Sequence, residues 1–561
     1  MNAVPPAGTL PRIPPLPFWP ARIETPPMTR FRPVPEATRR ALLKTFGATA
    51  ATTFLLPSSV GSALAQAAFS NDPFSLGVAS GDPLPDGFVL WTRLAPEPLA
   101  FGYGMPKRPV EVDWEVATDE RLRNIVQSGT EVARPELGHA IHAEVGGLEP
   151  GRDYYYRFTV GAERSMVGRA RTAPALGAKV ERVRLGMVGC QNYEDGYYTA
   201  FRHLAEERPD FVFHYGDYIY ENRVRTHDTS RYYGGLAQPT ARRHLGDEPY
   251  SLDEYRRRYA QYTLDLDLQL ARAACPWMVT WDDHEVDNNW TGTVDGAGIA
   301  PPEYFLLRRA AAAQAYFEHM PLRRASWPKG PDMQIYRRLA FGNLIDLHLL
   351  DTRQFRTDQP CGDGFKPACE GQDSDDAEMM GEDQERWLFE GLDRGRARWN
   401  LIGQQVMMMT MNREPWHGPI YNMDSWEGYH QPRQRLLRHI ADRRLNNVVV
   451  LTGDEHQNFV GDLKTDYHSD KAGVVATEFV GTSISSGGDG ADKRPRYDEV
   501  MRGNPHIRFM NDQRGYLMCD IGHDKLTANF RVMDRVTTPG GAISTRASFV
   551  VEPGKPGAKQ A

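Results

Sequence analysis

Cysteine is scarce in this chain, with five in 561 residues. That excludes a small scaffold held together by disulfides in place of a hydrophobic core. There is also no comfortable membrane span: the apolar run that ends near Leu56 is short and rich in Ala and Thr. Basic residues are outnumbered, 66 against 73 acidic, for a net charge of −7. A non-specific nucleic-acid binder needs the opposite balance, so no stable nucleic-acid complex is expected. A phosphate-bearing substrate is still compatible, because a bound cation inverts the local field. No internal repeat stands out. The rest is ordinary soluble composition, 40% apolar and 25% charged, in a chain long enough for more than one domain.

Residues 1–36 are proline-rich without hydrophobic periodicity and are expected to be disordered. Thr38-Arg39-Arg40-Ala41-Leu42-Leu43-Lys44 then opens a charged region, followed by a small-residue apolar run and Ala63-Leu64-Ala65. This is the pattern of a secretory signal with twin-arginine character, cleaved after Ala65. Residues 1–65 are therefore expected to be an extension plus signal peptide, with the twin-arginine export machinery as a partner. The expected location is periplasmic or secreted, with no membrane span in the mature protein. Cleavage would remove seven basic and two acidic residues, leaving the remainder more acidic still.

An odd cysteine count in an exported protein points to a thiol kept for another purpose. Cys361 and Cys369 share a Gly/Pro/Asp-rich loop and could pair. Cys275 and Cys519 lie in apolar stretches and read as buried hydrophobes. Cys190 is the candidate for chemistry.

Residues 71–173 read as an all-β sandwich domain, with short alternating strands at 88–94, 110–116 and 154–160. The segment 148–156 resembles the corner turn of a fibronectin type III-like sandwich. After a linker at 173–180, strands alternate with helices through residues 180–540, the pattern of an α/β domain. One amphipathic helix is expected over 252–274, long loops over 222–250 and 358–382, and a frayed tail over 541–561. Ser485-Ser486-Gly487-Gly488 hints at a phosphate-cradling loop but lacks the lysine and spacing of a P-loop.

The run Phe211-Val212-Phe213-His214 ends at Gly216, and Asp217 follows where sites are built in open α/β sheets, just past a strand end. Three other strand ends carry metal-competent groups: Cys190; Asp282, Asp283 and His284; and Asp454 with His456. Tyr220 joins Asp217. Each has a plain reading of its own. Gly216-Asp217 makes a β-turn, Cys190 an inert core thiol, Tyr220 a core cap, His284 a turn histidine and Arg353 an ion pair with Asp351. Four such ends in one β/α region exceed turn preference. They suit two cations about 4 Å apart that share one carboxylate, for which Asp217 is the candidate bridge.

Gly189-Cys190-Gln191, Gly216-Asp217-Tyr218-Ile219-Tyr220, Trp281-Asp282-Asp283-His284-Glu285, Leu350-Asp351-Thr352-Arg353-Gln354-Phe355-Arg356, Asp424-Ser425-Trp426-Glu427-Gly428-Tyr429 and Gly453-Asp454-Glu455-His456 together resemble the motifs of PhoD-type alkaline phosphatases. These are relatives of the purple acid phosphatases. The resemblance implies an α/β metallophosphatase β-sandwich flanked by helices, preceded by the all-β domain. It implies an exported hydrolase that releases phosphate from phosphate monoesters or diesters by attack of a metal-bound hydroxide, with iron, as Fe3+, and calcium.

Residue by residue, Cys190, Asp217, Tyr220 and His456 are similar to the iron ligands, a thiolate and a phenolate being strong anionic donors for a trivalent ion. Asp217, Asp283 and Asp454 offer the hard oxygens that suit calcium, with Asp282 as eligible as Asp283. The resemblance implies His284 near the leaving group, and Asn289 and Arg353 on the phosphoryl oxygens. Two departures stand against the pattern. No histidine occurs near Gln404-Gln405, which supports an oxygen-rich second site, and Glu455 stands where an apolar residue is expected. Two alternatives follow: a phosphodiesterase acting on nucleic-acid, teichoic-acid or phospholipid-type backbones, and a non-catalytic, metal-stabilised surface module.

Overall fold

Alternation of side chains along short β-branched runs decides which layer each residue joins. In the strand Phe211–His214, Phe211 and Phe213 enter one core while Val212 enters another. The strands Pro276–Val279 and Val448–Thr452 divide in the same way, Met278 against Trp277 and Val279, and Val449 and Leu451 against Val450. Strands buried on both faces are what a parallel sheet with helical cover requires. In this computed structural model residues 69–225, 231–233, 236–238, 240–469 and 471–561 are described. The expected extension and signal peptide, and part of the 222–250 loop, lie outside them.

Two sheets face each other. The ten-stranded sheet runs Lys555–Gln560, Ile543–Glu552, Leu526–Met533, Gly515–Gly522, Arg182–Val188, Phe211–His214, Pro276–Val279, Val78–Leu84, Gly87–Arg93, Ala140–Val145. The seven-stranded sheet runs Arg337–Phe341, Ile345–Leu349, Trp399–Gly403, Val448–Thr452, Val474–Val480, Asn458–Lys464, Ile507–Asn511. The central strands of each are parallel and the flanking ones antiparallel. Leu185, Met187, Phe213, Leu347, Leu401, Val449 and Phe479 fill the space between the sheets. Helices Thr199–Glu207, Leu252–Thr263, Leu266–Ala274 and Pro302–His319 cover the outside of the first sheet. Gly381–Arg394 and His430–Asp442 cover the second. This is a sandwich of mixed sheets flanked by helices.

The N-terminal region is all-β, as the alternation implies, but it is not a detached body. Its strands Val78–Leu84, Gly87–Arg93 and Ala140–Val145 continue the ten-stranded sheet, joined in parallel at Ser80↔Pro276 and Gly81↔Trp277. Phe88, Leu90 and Ile141 pack across to Val112, Val116, Tyr156 and Phe158 of a separate five-stranded sheet.

Three local expectations change. The helix expected over 252–274 is two helices, because Asp265 accepts hydrogen bonds from the amides of Asp267 and Leu268 and starts a new one. Ser251 and Glu254 form a capping box on the first. The tail expected to fray over 541–561 instead forms two strands, since Ala547, Phe549 and Val551 alternate into the inter-sheet core. Pro553 and Gly554 make the turn between them rather than an end. Within the 358–382 loop, Phe365–Pro367 pairs with Ile420–Asn422, and Cys361 and Cys369 form a disulfide. Cys275 and Cys519 are buried, as their apolar surroundings imply.

Candidate metal centre and active site

Every group of interest follows the carboxyl end of a central strand. Cys190 comes after Arg182–Val188, Asp217 and Tyr220 after Phe211–His214, and Asp282, Asp283 and His284 after Pro276–Val279. Arg353 comes after Ile345–Leu349, Asp454 and His456 after Val448–Thr452, and Ser486 after Val474–Val480. The chain must turn sharply there. Cys190, Asp217, Asn289, Asp454 and His456 all take left-handed backbone, with φ of 51°, 57°, 53°, 66° and 53°. That conformation costs non-glycine residues of order 1 kcal/mol or more each and clusters at functional sites. Gly216, at φ 125°, is the hinge: a Cβ there would lie 2.4 Å from Cβ of Asp282. Only glycine lets these two strand ends close on each other.

The side chains form overlapping groups. Ligand atoms of Cys190, Asp217 and His456 lie within 4.8 Å of one another, as do those of Asp217, Asp283 and His284, and those of Asp282, Asp283 and Asp454. Asp217 therefore belongs to the Cys190–His456 group and to the Asp283–His284 group at once, and Asp283 links the latter to Asp282 and Asp454. Tyr220 completes the first, donating from Oη to Oδ2 of Asp217 at 2.7 Å, with Nε2 of His456 2.9 Å away. The first group sets thiol, phenol and imidazole around the Asp217 carboxylate; the group of Asp282, Asp283 and Asp454 offers carboxylates alone.

Burial makes this arrangement costly for the protein by itself. Burial first, and then Asp283 and Asp282, push Asp217 well above the carboxylate range. Asp454 rises for the same reasons, through burial, Asp282 and Glu455. Asp282 is pushed up to about 7 by burial against the pull of Arg353. Glu285 is pushed to about 8, also by burial. Burial and the Asp217 and Asp454 carboxylates raise the Cys190 thiol as well. Asp283 is the exception: burial is outweighed by His284, Arg353 and the Asn289 amide, and it is held low. Oδ1 of Asp217 and Oδ1 of Asp283 are buried without a hydrogen-bond donor. Buried carboxylate oxygens that lack donors and crowd one another fit cations. The mixed donor set and the carboxylate set differ in chemistry and fit two unlike cations.

The three residues expected to act on substrate are differently placed. His284 gives Nδ1 to Oε2 of Glu221 at 2.6 Å, which leaves Nε2 as the ring nitrogen available to the site. Burial lowers its basicity, but Glu221, Asp283 and Asp217 outweigh that and raise it well above its ordinary value. Asn289 donates its main-chain amide to Oδ2 of Asp283 at 2.8 Å and its side-chain amide to Asp363, on the disulfide-closed loop, at 2.8 Å. Arg353 departs from expectation. It is 0% exposed, gives Nε to Asp282 at 2.6 Å and Nη1 to Asp424 at 2.8 Å, and holds Nη2 3.8 Å from Oδ1 of Asp283. Its fork grips carboxylates, and the pair with Asp351 is made by its main-chain amide.

Glu221, Asp424 and Ser486 carry partners of the site that the sequence reading did not single out for it. Glu221 directly follows the Gly-Asp-Tyr-Ile-Tyr run, and Asp424 heads the Asp-Ser-Trp-Glu-Gly-Tyr motif, so position was the available signal. Gln405, where a histidine is absent, bonds to Thr280, Leu350 and Thr352 and ties strand ends together. Glu455 turns to Arg413 and Asn422.

A family model described as PhoD-like phosphatase matches residues 185–530, and one described as the PhoD-like phosphatase N-terminal domain matches residues 60–174. Alkaline phosphatase D of Bacillus subtilis (strain 168) is 50% identical over 492 residues, which span 88% of this chain and 83% of that one. The solved structure of PhoD is similar with a TM-score of 0.84 at 49% identity, covering 88% of this chain and 93% of that one. With the site at the strand ends and both family models matched, this chain belongs to the PhoD-like phosphatase family of enzymes.

Proposed function

We propose that the protein is a metal-dependent phosphoester hydrolase that releases phosphate from monoesters, diesters or both. The observation that carries this is the sharing of Asp217 between the Cys190–His456 group and the Asp283 group. In this reading Cys190, Asp217, Tyr220 and His456 hold iron, and Asp217, Asp283 and Asp454 hold calcium. Two such ions would neutralise the phosphoryl oxygens and activate water.

The chain's own residues do the rest. Asp217 Oδ1 and Asp283 Oδ1 are buried without hydrogen-bond donors, which supports a cation seated between them. Glu221 fixes the tautomer and tilt of His284, whose Nε2 holds the proton that passes to the departing ester oxygen. Asn289 steadies Asp283 through its main-chain amide. Arg353 acts through Asp282 and Asp424, a positioning role in place of the expected grip on phosphoryl oxygens.

A diester preference has one observation in its favour. Phe365, 65% exposed, rides on the same short loop that brings Asp363 to Asn289. An exposed aromatic ring two residues from Asp363 suits a substrate with a second ester substituent, whether a small molecule or a polymer. The reading as a non-catalytic module is set aside by family membership. Export by the twin-arginine route to the periplasm or beyond rests on Arg39-Arg40 and Ala63-Leu64-Ala65. No helix among the described residues is long and apolar enough to cross a membrane. The fibronectin type III-like reading of the N-terminal region is supported by Tyr154, whose Oη accepts from the Glu149 amide at 2.9 Å, a tyrosine-corner contact.

The deciding experiment measures phosphate release by the mature protein from an aryl monoester and a bis-aryl diester, with added calcium and with a chelator. Chelator-sensitive turnover is expected, and the ratio of the two rates selects between the readings. No turnover together with no bound metal would overturn the assignment of Cys190, Asp217 and His456.

A further inference from the structure

Ser485-Ser486-Gly487-Gly488 lacks what a phosphate loop needs, yet it lies against the candidate metal centre. Ser486 is buried, and its Oγ lies 2.7 Å from Oη of Tyr220 and 2.7 Å from the main-chain oxygen of Cys190. The same Oγ accepts from the Asn192 amide at 3.0 Å. One hydroxyl thus touches two residues of the iron set that are far apart in sequence.

The surrounding loop repeats the pattern. The Ser486 amide donates to the Cys190 oxygen at 3.2 Å and the Ile484 amide to the Gly189 oxygen at 3.0 Å. Thr482 Oγ1 donates to the main-chain oxygen of His456 at 3.3 Å, and Arg514 reaches that oxygen as well. Ser483 Oγ donates to the Ser486 oxygen at 2.6 Å. The loop itself is pinned by Asp195, which accepts from the Gly487 amide at 2.9 Å. Cys190, Tyr220 and His456 therefore share one hydrogen-bonded frame.

A hydroxyl has one hydrogen and two acceptor sites. With the Asn192 amide on one acceptor site, the hydrogen has two claimants, the Cys190 oxygen and Tyr220 Oη. A tyrosine that holds a cation through its oxygen has no hydrogen of its own there and only accepts. The geometry points to Ser486 as a positioning residue of the iron site. Its hydroxyl fixes the Tyr220 oxygen against the Cys190 main chain and donates to that oxygen in the loaded protein. This rests on the reading of Cys190, Tyr220 and His456 as iron ligands. Partners that orient ligands in this way typically govern metal affinity by about 10–100-fold.

The test reads the visible absorption band that a tyrosinate oxygen gives on trivalent iron, identified by its loss in Tyr220→Phe. In iron-loaded Ser486→Ala the band is expected at longer wavelength, because the lost donor raises the energy of the tyrosinate electrons. Iron should also escape to a chelator about 10–100-fold faster. Ser486→Thr, which keeps the hydroxyl, should restore the wild-type band. Ser485→Ala should leave it unmoved, since Ser485 Oγ bonds the Asn192 oxygen, at 2.8 Å. Should the alanine variant not fold, Ser486→Cys keeps the volume, weakens the donor and is read by the same criterion. A wild-type band in Ser486→Ala overturns the inference while leaving the iron reading intact. Absence of any Tyr220-dependent band in the wild type overturns the iron reading, and the inference with it.

Discussion

The phenol oxygen of Tyr220 and Nε2 of His456 lie 2.9 Å apart although the two residues follow strands of different sheets. The candidate site is therefore a product of sheet-on-sheet packing and exists only while that packing holds. Tyr215 is the side chain at the seam. Its ring lies flat against main chain at the ends of two strands, so that a Cβ on Gly189 would fall 2.2 Å from it and one on Gly453 2.0 Å from it.

Gly453→Ala is accordingly expected to force the ring or the strand end aside, at about 1–3 kcal/mol of stability, the usual cost of overpacking. Asp454 and His456 follow directly, so activity should fall further than stability does. Thermal melting read beside phosphate release checks this. A variant of wild-type melting temperature and wild-type turnover would show the ring is not clamped.

Asp217→Asn keeps the shape of the residue shared by the two groups and removes its charge. Turnover and retained metal should fall together, each by more than roughly 100-fold, the upper end for losing a mere supporting contact to a metal ligand. Metal analysis of the purified variant beside its rate is the measurement. Retained metal with lost turnover would move the bridge elsewhere.

How far the sequence could be read follows from the range of each signal. Cys190, Asp217, Asp283, Asp454 and His456 were legible because each closes a short apolar strand, a pattern contained within a few residues. Glu221, Asp424 and Ser486 matter through partners 63, 71 and 266 residues away, and the local motifs they sit in do not name those partners. The surroundings of Arg353 were hidden for the same reason: its type is visible in the sequence, but the acids it contacts, Asp282 and Asp424, are not. The C-terminal strands were missed because the Pro-Gly-Lys-Pro-Gly run at the end suggests fraying, while Ala547, Phe549 and Val551 show their alternation only against the inter-sheet core. The split near residue 265 depends on one capping aspartate inside a continuous amphipathic run.

Glu221→Gln tests the proton held by His284. The substitution removes the charge that opposes burial at the ring and leaves the proposed metal ligands untouched. General-acid help matters most when the leaving oxygen is basic. Alkyl esters should therefore lose about 10–100-fold in kcat, while esters with a nitrophenolate leaving group lose little. Equal losses on both substrates would remove His284 from the proton path.

Metal removal should make stability depend on pH in a specified direction. Asp217 and Asp454 are held well above the carboxylate range, Asp282 at about 7 and Glu285 at about 8, in each case chiefly by burial. A carboxyl that binds its proton more tightly folded than unfolded favours the folded state at low pH. That advantage is lost as pH rises from the ordinary carboxylate range through about 8, where the unfolded chain has already released its protons. Buried neutral histidines work the other way at the acid end. His142, held down to about 4 by burial, loses its contribution as pH falls from about 6.5 towards 4. The chelated protein should thus be most stable near pH 6 and lose several degrees of melting temperature by pH 9. Bound cations replace the missing protons, so the loaded protein should show little loss over the alkaline half of that range. Melting temperatures from pH 5 to 9, with and without chelator, measure both curves. Parallel curves would mean that the carboxylate cluster does not hold the ions, because only a charge seated among Asp217, Asp282, Asp283 and Asp454 can cancel the cost of ionising them.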